Sequence, residues 1–354
     1  MPSPQEILEG LKTIKYPGYT RDIVSFGMVR DIEVATAGIV VTLAPGGANA
    51  EAVREISAAV QERVRELTGT ENVEINVQQP DPARPRVEQR RAEIPGIQNV
   101  IAVASGKGGV GKSTVAVNLA LALSRLGLRV GLLDADVYGP SIPLMLGVTE
   151  RPRTNEHDRI VPVERFGIKV ISLGLFIQER QPVIWRGPMI NKLLTQFLRE
   201  VQWGELDFLV LDLPPGTGDA QLTIAQQAPL AGGVIVTTPQ DVALLDVQRG
   251  ITMFEQVNTP VLGVIENMSY HVCAECGERT EIFAHGGGAR MAEQGGLPFL
   301  GEIPLVRAIR EAGDVGEPIV VTDPDGPHSA SFKAIAERVV AELGKQTTVL
   351  PTIH

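Results

Sequence analysis

The run GKGGVGKST, residues 106–114, limits what this chain can fold into more than any other stretch. It satisfies the pattern G-x-x-x-x-G-K-[ST], directly follows the apolar segment Val100-Ile101-Ala102-Val103, and opens a helical pattern over 114–126. The glycines Gly106, Gly108, Gly109 and Gly111 matter because residues without a Cβ let successive backbone N–H groups curl around a phosphate. The start of a helix adds partial positive charge at the same point. Lys112 would neutralise the β- and γ-phosphates, and the Ser113 hydroxyl would ligate Mg²⁺. Four fixed positions alone recur by chance in about 1% of chains this long; the strand before and the helix after make the match specific. Gly106, Lys107, Gly108, Gly109, Val110, Gly111, Lys112, Ser113 and Thr114 are therefore candidate contacts to a nucleoside triphosphate, ATP first among them.

The pattern around that loop is α/β. Short β-branched runs at 99–104, 129–133, 168–172, 207–211, 233–237 and 261–266 are separated by helix-length spacers. That alternation implies right-handed crossovers and a mostly parallel sheet covered by helices on both faces, from about residue 98 to 354. In such sheets ligands sit at the carboxyl ends of the strands. Residues 1–78 read as a separate small α/β unit, with helical spacing at Ile7, Leu8, Leu11 and Ile14, a second helix over 50–67, and strands at 39–43 and 73–77. Between them, residues 79–97 are rich in proline and arginine and nearly devoid of apolar side chains, which reads as a mobile linker. A last helix, 328–343, places Phe332, Ile335, Ala336, Val339 and Leu343 on one face with mixed charges opposite, as a helix docked on its own domain would.

Composition narrows the function. A formal charge of −10 and an aromatic content of 4% argue against a general nucleic-acid binder. No apolar run is long enough to span a bilayer, and the N-terminus lacks the basic-then-apolar order of a secretory signal. Two cysteines do not make a disulfide framework. A cytoplasmic location without membrane or nucleic-acid partners is expected.

Other residues carry chemistry. Phe208-Leu209-Val210-Leu211-Asp212 ends four apolar residues on a carboxylate able to hold magnesium or its water. Cys273 and Cys276 stand at C-x-x-C spacing, enough to grip one metal from a tight turn, whereas a closed tetrahedral site needs four ligands. Histidines such as His271 and His285 could complete a zinc site, two chains could each contribute a pair to a shared cluster, or the pair could be a redox dithiol.

Lys107, an additional lysine just after the first glycine, makes the loop resemble the deviant Walker A loop of the signature-lysine ATPases, which include nitrogenase iron protein, MinD and ParA. That resemblance implies a homodimer in which Lys107 reaches the partner's phosphates. It also implies that Asp136 of DADVYGPS orients or deprotonates the attacking water and that Asp134 supports the magnesium shell. The Gly216 amide in PPGTGD would sense the γ-phosphate. Asn267 would read the adenine edge, beside a turn at 301–304. The loop, DADVYGPS, VIWRGPM (183–189), DLPPGTGD (212–219) and ENMS-x(3)-C-x-x-C (266–276) together resemble the Mrp/ApbC family of iron–sulfur cluster carrier ATPases over about residues 98–345. This implies a 4Fe–4S cluster held by Cys273 and Cys276 of two subunits, received from assembly proteins and passed to apo-proteins, with slow, dimer- or client-dependent hydrolysis. Residues 21–29 resemble the small domain fused to many members. The stretch 43–49 lacks that domain's cysteine, so docking or regulation is expected of it. A MinD- or ParA-like spatial regulator and an ATP-gated electron donor are the competing classes; the docked final helix and the acidic charge count against the first.

Overall fold

From Val100 to Ala104 every side chain is apolar, a composition that suits a strand buried on both faces. The computed structural model describes residues 3–15, 22–24, 28–35, 38–43, 50–70, 72–77, 94–136, 139–176, 187–216, 218–273 and 275–347. Residues 79–93 of the proline- and arginine-rich stretch, 21, 25–27, 44–49, 137–138, 183–186, 217 and 274, all parts of the motifs above, lie outside the described residues. The chain divides into two compact units, one ending at Glu88 and one beginning at Gln89.

The first unit contains α1 (Pro4–Leu11), β1 (Val29–Ala35), β2 (Gly38–Leu43), α2 (Ala50–Thr68) and β3 (Val73–Val77). Its three-stranded sheet runs β1-β2-β3, antiparallel then parallel. Ser3 and Glu6 start α1 with a reciprocal capping box. Ile7, Leu11, Ile56, Val60 and Val64 bury against Ile39, Val41 and Leu43.

The second unit begins with β4 (Ile97–Ala104), α3 (Lys112–Arg125), β5 (Val130–Asp134), α4 (Ile142–Met145), β6 (Arg153–Thr154), β7 (Ile160–Val161), β8 (Val163–Arg165) and β9 (Ile168–Ser172). It continues through α5 (Gly187–Arg199), β10 (Leu206–Asp212), α6 (Asp219–Gln227), β11 (Leu230–Thr237), α7 (Asp241–Gln256) and β12 (Val261–Glu266). It closes with β13 (His271–Val272), β14 (Arg279–Thr280), α8 (Gly287–Gln294), β15 (Phe299–Glu302), α9 (Arg307–Asp314), α10 (Ile319–Thr322) and α11 (Pro327–Thr347). The eight-stranded sheet has the order β15-β12-β11-β4-β10-β5-β9-β8 and is parallel except for β8. Along β4 the faces alternate. Ile101 and Val103 join the core under α3 and α11, while Val100, Ala102 and Ala104 join the core under α5, α6 and α7. Ile94, 7% exposed, already belongs to this second core.

Three readings from sequence change. The helix after the loop starts at Lys112, two residues before the expected Thr114, so the loop's lysine and serine form its first turn. Residues 299–302 are the strand β15, so the expected turn at 301–304 opens inside the sheet edge. The small unit has a further strand, β1, that was not expected. The last helix lies on the domain as anticipated, with Phe332, Ile335, Ala336, Val339 and Leu343 all buried. No helix among the described residues is long and apolar enough to cross a membrane.

Candidate functional site

The loop between β4 and α3 is shaped by two left-handed glycines, Gly109 at φ +82° and Gly111 at φ +77°. Gly111 also has no room for a side chain, because a Cβ there would meet Asn267 Nδ2 at 2.3 Å. The Asn267 amide donates instead to Val110 O at 2.8 Å, which props the loop from the end of β12. Its donor is thus engaged on the loop. Lys107, Gly108, Gly109, Gly111, Lys112, Ser113, Thr114 and Asp136 line one cleft of about 300 Å³, a volume suited to a small ligand. Gly139 and Ser141 of DADVYGPS and Pro215 of DLPPGTGD complete the wall together with Ser105 and Met145, which lie outside the motifs above.

Parallel register brings the carboxylates together at the cleft floor. Asp212 of β10 is the register partner of Asp134 of β5, which in turn pairs with Ser172 of β9. Both aspartates are fully buried. Asp212 takes the Lys112 ammonium in an ion pair and the Ser113 hydroxyl at 2.6 Å. Asp134 accepts from Ser172 Oγ at 2.8 Å and from the Asp136 and Ile142 amides at 3.1 and 3.3 Å. Burial raises the Asp134 carboxyl to about 7, helped by the charge on Asp212 and opposed by Ser172, the Asp136 amide and Lys112. Burial also raises Asp212, against the pull of Lys112 and Ser113. Two desolvated carboxylates beside a hydroxyl form an oxygen donor set that fits Mg²⁺, and a bound cation would offset their shared cost of burial.

Two further residues are held differently from the expectation. Lys107 Nζ donates to Gln240 Oε1 at 3.3 Å, just beyond the end of β11. The Gly216 amide, at φ +91°, donates to Ser105 O at 3.1 Å. To meet a γ-phosphate it would have to leave that carbonyl.

The cysteines lie on a separate excursion between β12 and α8. The paired strands β13 and β14 hold a turn in which Cys273 N–H donates to Glu278 O and Gly277 N–H to Cys273 O, each at 2.9 Å. Gly277 at φ +74° allows the reversal. Backbone N–H groups of Cys276 and Glu275 hold the Cys273 thiol below its ordinary range, with a smaller contribution from the Cys276 thiol. Cys276 is exposed and Cys273 half-buried. Of the histidines that could have completed a metal site, His271 is engaged through Nδ1, 3.0 Å from Leu305 O, and His285 through Nε2, 2.8 Å from Glu302 Oε2. Among the described residues, no cysteine belongs to a set of three potential metal ligands.

Sheet order, glycine loop and paired strand-end carboxylates define a phosphate-loop nucleoside triphosphatase. More narrowly, the chain belongs to the NUBPL iron-transfer P-loop NTPase family, whose model matches residues 96–340. A second model, described as iron–sulfur cluster assembly protein, matches residues 4–77, the first unit. An iron–sulfur cluster carrier protein of Aquifex aeolicus is 43% identical over 94% of this chain and 96% of its own length. The iron–sulfur cluster transfer protein NUBPL of Dictyostelium discoideum is 52% identical over 72% of this chain and 79% of its own. Among solved structures, the nucleotide-binding protein of Archaeoglobus fulgidus in complex with ADP has a TM-score of 0.59 and 41% identity, covering 69% of this chain and 94% of that one. The cell-division ATPase MinD of Pyrococcus furiosus, at 23% identity and a TM-score of 0.53, shares the fold.

Proposed function

We propose that this protein is an ATP-hydrolysing carrier that holds a 4Fe–4S cluster between two copies of itself and passes it to apo-proteins. The observation that carries the reading is the exposed C-x-x-C turn: it offers two thiols, with backbone N–H groups aimed at one of them, and no third protein ligand beside them among the described residues. Two such turns make a four-thiolate set. Relatives named as cluster carriers and cluster transfer proteins support the same cargo.

In the nucleotide cleft, Lys112 and the loop amides would bind the phosphates, while Ser113, Asp212 and Asp134 would hold magnesium directly or through water. When bound there, the ion would supply charge neutralisation to the phosphates. Asp136, at the cleft wall with its Oδ1 accepting from the Gly139 amide, would orient the attacking water. Lys107, resting on Gln240 in the protomer, is the residue that would cross to the partner's phosphates. The first unit would dock assembly proteins or recipients.

The test is anaerobic reconstitution with iron and sulfide. About four irons per dimer with a visible chromophore are expected, and Cys273→Ala should abolish both. Stoichiometric zinc without a chromophore after native purification would refute the carrier reading.

A further inference from the structure

Nucleotide and cargo sites lie on one stretch of chain, joined by a compact polar neck. Strand β12 ends at Glu266, and the next residue, Asn267, props the phosphate loop through Val110 O. The cysteine excursion leaves from there and returns at α8, whose first turn is tied back to the same carboxylate. Glu266, fully buried, accepts from Gly286 N at 3.1 Å, Gly288 N at 2.5 Å and Ser269 Oγ at 2.5 Å. Entry and exit of the excursion thus close on one side chain, with the helix N-terminus facing its charge. The closure is tight: a Cβ at Gly288 would lie 3.1 Å from Glu266 Oε2 and 3.2 Å from Thr237 Cγ2.

The neighbouring strand completes the neck. Glu302 of β15 is the register partner of Glu266, so two carboxylates stand side by side at adjacent strand ends, an unfavourable pairing on its own. Ser269 Oγ lies between them, 3.1 Å from Glu302 Oε2. The excursion supplies the counter-charge: Arg279 of β14 reaches Glu302 Oε1 at 3.4 Å while its guanidinium stacks 3.7 Å over the Tyr270 ring. Arg279 is also the cross-strand partner of Val272, the residue before Cys273. The hairpin carrying the cysteines is therefore anchored at its base to β15 and, through Ser269 and Glu266, to the strand that props the phosphate loop.

We infer that Glu266, Ser269, Glu302 and Arg279 are positioning residues that transmit the state of the phosphate loop to the cysteine turn. The inference rests on the carrier reading for its purpose but not for its test. Ligand atoms of Glu266, His285 and Glu302 lie within 4.8 Å of one another, the spacing of a metal site. Glu266, however, is already occupied by three donors, and the Arg279 guanidinium lies 2.6 Å from His285 Nε2, where it would oppose a cation. The donors favour a hydrogen-bonded hub.

Hydrogen exchange of the full-length, cluster-free protein with and without Mg–ADP tests this. In the wild type, nucleotide should change exchange of the amides at 272–277 by about fivefold or more, the lower end of ordinary coupling between sites. Ser269→Ala and the surface variant Arg279→Gln should keep the protection that nucleotide confers on residues 106–114, while the hairpin response falls below about twofold. Arg279→Gln serves if the buried Ser269→Ala fails to fold. A wild-type hairpin that ignores nucleotide, or variants that respond as the wild type does, would overturn the inference. So would a divalent ion retained stoichiometrically by a Cys273→Ala/Cys276→Ala protein and lost on adding His285→Ala. A protein that fails to hold four irons yet shows the exchange response sinks the carrier reading alone; the reverse pattern sinks the neck alone.

Discussion

Gly111→Ala should damage the phosphate loop by two separable routes. The left-handed backbone at φ +77° costs a residue bearing a Cβ roughly 1–2 kcal/mol. The new methyl also displaces the Asn267 amide, 2.3 Å from the ideal Cβ position, and breaks its bond to the buried Val110 carbonyl. A buried acceptor left without a donor costs about 1–3 kcal/mol, so the single variant should lose about 2–5 kcal/mol. Asn267→Ala removes the same hydrogen bond and should lose about 1–3 kcal/mol by itself. In the double variant the bond can be lost only once. Asn267→Ala should therefore add less than about 0.5 kcal/mol in the Gly111→Ala background, giving a large coupling in a double-mutant cycle. Urea unfolding followed by tryptophan emission, to which the buried Trp203 contributes, measures all four proteins. Strictly additive losses would refute the claim that Gly111 is a glycine because of Asn267.

The cleft carboxylates predict an unusual pH dependence. Asp134 is raised to about 7 from an unfolded value of 3.8, so between those values the native state holds more protons and stability falls as pH rises. In magnesium-free buffer the wild-type Tm should drop from pH 5 to pH 8 relative to Asp134→Asn; parallel profiles would show that burial does not set this carboxyl. For Lys107, which rests on Gln240 in the protomer, Lys107→Ala should leave ADP affinity within a few-fold while lowering ATP turnover by about 100-fold or more, the loss typical of a charge aimed at the transition state. Unchanged basal and stimulated turnover would remove the trans-lysine from the mechanism.

Much of the second unit was legible because its signals are local. The central strands are continuous apolar runs, which a parallel sheet buried on both faces demands, and the glycine loop is read from backbone conformations that only certain residues adopt. The edges were less legible. Strand β15, Phe299–Glu302, is short and contains Gly301 at φ +144°, so its place in the sheet comes from pairing with β12 and not from its own composition. Strand β1 carries charges at Arg30, Asp31 and Glu33, which hide its alternation. The helix start at Lys112 was misplaced because its cap is a bare glycine and no side chain marks it.

By itself the sequence determined the nucleotide loop, the alternation that makes an α/β sheet around it, and a cysteine pair too small to close a metal site alone. Each follows from residue chemistry within a few positions of the chain. Tertiary structure decided which distant residues share the site. Register places Asp212 beside Asp134 and Glu266 beside Glu302. It also brings Asn267 onto Val110, 157 residues away, and Lys107 onto Gln240, 133 residues away. Strand order in a parallel sheet is set by packing both faces at once, and no local pattern encodes which two strand ends become neighbours.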